Sequence, residues 1–81
     1  MKVVGIRKCD FIAKDKTEVK GFNIFTEEEI TSNGTGVQTD KYFFSEARIE
    51  KMGLELDTLL GRNIFLSYNR WGKIERIIVQ D

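Results

Sequence analysis

The sequence predicts a mainly β domain of five strands, with one short helix between the third strand and the fourth. Three observations carry this. Runs rich in Val, Ile and Phe recur along the chain, and they are punctuated by Gly and Asn because proline is absent. One short segment near residue 50 places apolar residues three apart behind a serine suited to capping a helix. With 81 residues and a 41% apolar fraction, the chain has material for one small core. A domain of this size buries about 60% of the surface that its unfolded chain exposes.

The first strand is expected from Lys2 to Lys14. Val4, Ile6 and Ile12 fall on one parity, Val3, Cys9 and Phe11 on the other. A switch of apolar side within one run is what a bulged, strongly bent strand produces. Asp15-Lys16-Thr17 is a short turn, and the second strand runs from Glu18 to Glu29, with Gly21 marking a bend or a close backbone approach. Thr31 to Gly36 is the strongest loop signal in the chain. The third strand is Val37 to Phe44. Ser45 then caps a helix from Glu46 to Met52, which Gly53 ends. After an irregular stretch, Leu54 to Leu60, Gly61 opens a fourth strand from Asn63 to Tyr68. Asn69-Arg70-Trp71-Gly72 makes a tight hairpin, and the fifth strand is Lys73 to Val79.

The chemistry that the residues exclude is as informative. There is no histidine, which removes the commonest general base and metal ligand together. Cys9 is the only cysteine, so no internal disulfide and no thiolate zinc site can form. Asn33-Gly34-Thr35-Gly36 lacks the Walker spacing and lysine, and Glu27-Glu28-Glu29 reads as a charged strand end. Neither catalysis nor a cofactor is expected. No apolar run is long enough to span a bilayer and no signal-peptide pattern opens the chain, so a cytoplasmic protein without membrane partners is expected.

Net charge is zero but uneven: +3 over residues 1–26, −5 over 27–57 and +2 over 58–81. If the basic ends meet in space, a neutral protein still offers a positive face to a polyanion. Trp71, the only tryptophan, sits at the hairpin tip with cations on both sides. There it either stacks on a base or folds back to cap the core.

The order of three strands, a helix and a closing hairpin, with bends in the first strands, resembles the OB-fold, a five-stranded Greek-key barrel. Chain length and a glycine at the hairpin tip make it similar, within that group, to the small helix-destabilising single-stranded-DNA-binding proteins of phages and mobile elements. The resemblance implies a ligand lying across strands two and three, flanked by the loops joining strands one to two and four to five. Lys14, Lys16 and Lys20 fall at the first loop, and Arg70, Trp71 and Lys73 at the second. These cations would hold phosphates, while Trp71, Phe22 and Tyr42 would stack bases and Tyr68 would extend the track. Phe22, Ile24, Tyr42 and Phe44 share one parity, and Phe25 and Phe43 the other; parity alone does not say which set faces inward. The expected function is non-catalytic binding of single-stranded nucleic acid, DNA before RNA, with little sequence preference. The alternative is a protein–protein or dimerisation module that uses an exposed strand edge such as Ile74 to Val79.

Overall fold

The computed structural model describes residues 1–80. Five strands and one helix form in the expected order: β1 (Lys2–Ile12), β2 (Glu18–Glu29), β3 (Val37–Ser45), α1 (Glu46–Met52), β4 (Ile64–Tyr68) and β5 (Ile74–Val79). A single 3-10 turn, Leu56–Thr58, interrupts the irregular stretch before β4.

The strands divide into two antiparallel sheets, β1-β2-β3 and β4-β5, rather than closing into one barrel. The sheets touch at one edge. Lys2 bridges Asn63, flanked by bonds from the Val3 N–H to the Arg62 carbonyl at 2.9 Å and from the Ile64 N–H to the Met1 carbonyl at 2.7 Å. Closure on the other side would need β3 to pair with β5. No such pairing forms; on that side the Arg48 guanidinium of α1 donates to the Ile74 carbonyl of β5.

The bulge expected in the first strand lies between Val3 and Gly5. It resets the parity: Val3 opposes Thr26 and Ile6 opposes Ile24, so both residues face inward although an odd number separates them. Val4, at the bulge, is left exposed. The inward set of the three-stranded sheet is therefore Val3, Ile6, Phe22, Ile24, Thr26, Tyr42 and Phe44. Against it pack Ile64, Leu66 and Ile77 of the hairpin, with Ile49 of α1 and Leu59.

The β1–β2 turn is longer than the sequence suggests, running from Ala13 to Thr17 instead of Asp15 to Thr17. The Ala13 N–H donates to the Thr17 carbonyl at 2.9 Å and the Lys16 N–H returns to the Ala13 carbonyl, ending β1 at Ile12. Lys16 takes a left-handed conformation at φ 67°. Asp15 accepts the Thr17 N–H at 3.0 Å. Bonds from Thr17, its hydroxyl first and then its backbone, hold the Asp15 carboxyl below its ordinary pKa. Because β3 ends at Ser45, which pairs with Gly21, everything from Asp10 to Lys20 is a two-stranded arm reaching past the third strand.

Helix α1 forms for the expected reasons. Ser45 Oγ accepts the Arg48 N–H at 3.3 Å, and Gly53 ends the helix in a left-handed conformation at φ 69°. Ser45→Ala should cost about 1 kcal/mol. In a domain of this size that lowers the melting temperature by about 4–8 °C, readable as a circular-dichroism melt. An unchanged melt would mean that Ser45 contributes nothing to the start of the helix.

Candidate nucleic-acid interface

The two faces of the β1-β2-β3 sheet have different fates. One is covered by the hairpin and helix; the other meets solvent. Register assigns each residue to a face. Arg7 opposes Asn23, which opposes Phe43; Cys9 opposes Gly21; Phe11 opposes Val19; and Phe25 lies between Gly5 and Lys41. The outer face is thus a lattice in which rings (Phe11, Phe25, Phe43) alternate with Arg7, Asn23 and Lys41.

Gly21 gives this face its shape. A Cβ built on Gly21 would sit 2.5 Å from the Phe43 ring and 2.5 Å from the Phe44 carbonyl oxygen. The Phe43 ring therefore lies across the second strand, over the glycine, and reaches Phe11 with ring centroids 5.7 Å apart and a 60° tilt. Glycine inside a strand commonly marks such a close approach. The two rings form a ledge across all three strands, and both keep much of their surface in water, Phe43 at 37% and Phe11 at 46% exposed. Arg7 and Lys41, with Asn23, Phe25, Cys9 and the Lys8–Asp10 ion pair, line a shallow depression beside the ledge. No ion pair neutralises either cation among the described residues.

The β4–β5 hairpin is the second feature. Asn69 Oδ1 accepts the Trp71 N–H at 2.9 Å and the Lys73 N–H at 3.1 Å, and Gly72 turns the chain at φ 77°. The backbone bond from the Asn69 N–H to the Lys73 carbonyl, at 2.8 Å, closes the loop. Trp71 is thereby held outward at 70% exposure instead of capping the core. The Arg70 guanidinium stands 4.5 Å from the centroid of the Trp71 ring, a cation–π stack that covers one face of the indole.

The residues singled out from the sequence fall into three groups. Arg70, Trp71 and Lys73 are exposed together on the hairpin, and Lys14 and Lys16 are exposed at the β1–β2 turn. Among the described residues no hydrogen bond, ion pair or ring contact joins the two loops. Lys20 is exposed but pairs with Glu18 at 3.6 Å, which blunts its charge. Phe22 and Tyr42 belong to the inward face and pack against the core, so neither ring lies on the open face of the sheet. The Tyr42 hydroxyl is pushed above its ordinary pKa, first by burial and then by the nearby charge of Asp40, with Tyr68 also within electrostatic reach. Tyr68 itself is exposed.

Arg7, Phe11, Asn23 and Lys41 are residues that sequence reading does not single out. Their common signal is the β1 bulge, which fixes the parity of the strand and, through the register, of its neighbours.

Compared with protein-family models, with curated proteins and with solved structures, the chain shows no match. No helix among the described residues is long and apolar enough to cross a membrane.

Proposed function

We propose that this chain binds single-stranded nucleic acid, with little sequence preference, across the outer face of the β1-β2-β3 sheet. The observation that carries the reading is the pair of exposed rings, Phe11 and Phe43, which with the half-buried Phe25 are interleaved with Arg7 and Lys41. Exposed rings give bases a surface on which to stack, at about 1–3 kcal/mol per base whatever its identity, and nearby cations follow the phosphates. Two stacked bases and a few phosphate contacts come to about 8 kcal/mol, near micromolar affinity. The strand order, the helix between β3 and β4 and the closing hairpin support the same reading, as an opened version of the OB arrangement. Stacking and phosphate contacts serve DNA and RNA alike, and DNA is the first ligand to test.

The test is a titration of labelled oligothymidylate, followed by fluorescence anisotropy, at two salt concentrations. Binding should weaken with salt, log K falling by about 0.7 per phosphate contacted for each tenfold rise. Phe43→Ala should weaken binding by about 1–3 kcal/mol. Trp71→Ala should leave the melting transition in place because its ring is mostly in water. Absence of binding at low salt and micromolar protein would end the proposal.

A second reading, association with a protein or a second copy, is favoured by one observation. Phe65 and Ile78 oppose each other on the outer side of the β4–β5 hairpin, and both are exposed. Sedimentation that is independent of concentration would remove self-association through that patch.

A further inference from the structure

Away from the open sheet face, a groove of about 520 Å³ runs between α1 and β5, on the edge of β5 that pairs with no strand. Arg48, Lys51 and Arg76 line it and Glu75 is its only acidic residue, so its local charge is positive in a protein of zero net charge. None of the three cations has an ion-pair partner among the described residues.

Arg48 is oriented without being neutralised. It donates to the Ile74 carbonyl, and its guanidinium stands 5.6 Å from the centroid of the Phe44 ring. A guanidinium has five N–H donors, so one backbone bond leaves others for an anion. Asn69, also on the groove, is fixed in the same way. Its carboxamide oxygen is taken by the N–H groups of Trp71 and Lys73, which leaves its amide nitrogen as the donor. Met52, Ile74 and Ile77 supply an apolar wall.

A cleft with fixed cations, a fixed amide donor and an apolar wall suits a ligand with an anionic end and a flat or apolar body. We infer that the α1–β5 groove binds a nucleotide phosphate through Arg48, Lys51 and Arg76, with the sugar or base against Met52 and Ile74. The nucleotide is either one residue of a bound strand or a free mononucleotide, and the recognising chemistry is the same. This site shares no lining residue with the sheet-face depression and stands or falls separately from it.

The experiment is a titration of the ¹⁵N-labelled full chain with adenosine monophosphate, inorganic phosphate and oligothymidylate, following every backbone amide. Saturable shifts at Lys51, Asn69 and Arg76 are expected. In the double variant Lys51→Ala/Arg76→Ala they should need roughly fivefold more ligand. Both side chains are exposed, so the variant should keep the wild-type spectrum elsewhere. Saturable groove shifts with the monophosphate support a free nucleotide as occupant. Groove shifts with the oligonucleotide alone support a strand residue. No saturable response there to any of the three probes at about 10 mM overturns the inference. Shifts confined to Arg7, Asn23, Lys41 and Phe43 also overturn it while leaving the sheet-face reading intact. Groove shifts without any sheet-face response do the reverse.

Discussion

Phe44→Ala should remove about 3–5 kcal/mol of stability, enough to leave much of the protein unfolded at room temperature. Phe44 is 1% exposed at the centre of the core, where it opposes Phe22 and carries Arg48 over its ring. Truncation forfeits the buried area and leaves a cavity between two sheets that are joined by hydrogen bonds at only one edge, so collapse would have to shift the hairpin. Urea denaturation is the measurement. Phe43→Ala, one position away and facing outward, should change the midpoint little while weakening strand binding. If both substitutions proved equally mild, the assignment of the two faces would be wrong.

Gly21→Ala should be the next most costly change, at about 3 kcal/mol, as expected where added bulk has nowhere to go. One of the three atoms that its methyl would strike belongs to backbone, the Phe44 carbonyl oxygen, and cannot rotate away. The Phe43 ring is free to swing, but only by leaving Phe11. The substitution should therefore lower both the melting temperature and the affinity for a strand. A variant that kept wild-type stability would mean that β2 and β3 are farther apart than described.

Residues that set local structure were legible in the sequence, while those that set relative placement were not. Ser45, Gly53 and the Asn69–Gly72 turn announce themselves because each acts on backbone within a few positions of itself. That β1 carries a bulge was also legible, from apolar residues on both parities of the run, though its place between Val3 and Gly5 was not. What the pattern could not decide was which rings of β2 and β3 face inward, because Phe22 and Phe25, like Tyr42 and Phe43, are apolar on both parities. That choice passes from strand to strand by register and is settled by the packing of Val3 and Ile24 under the hairpin. Failure of the barrel to close was equally hidden. On the unclosed side Arg48 reaches Ile74 across 26 positions, a contact that no local spacing reports.

The arm formed by the ends of β1 and β2 has a consequence for how firmly each part of the chain is held. From Asp10 to Lys20 the strands pair only with each other, with Ile12 at 73% exposure, no third strand beside them and the Phe11 ring on Phe43 as their contact with β3. A two-stranded ribbon alone is marginal in water. Its amides should therefore exchange with deuterium through local fraying, well before those of Ile24 and Leu66, whose protection requires the whole fold to open. The tip that carries Lys14 and Lys16 can then re-aim itself at a cost of a few hydrogen bonds while the sheet face beneath Phe43 stays rigid.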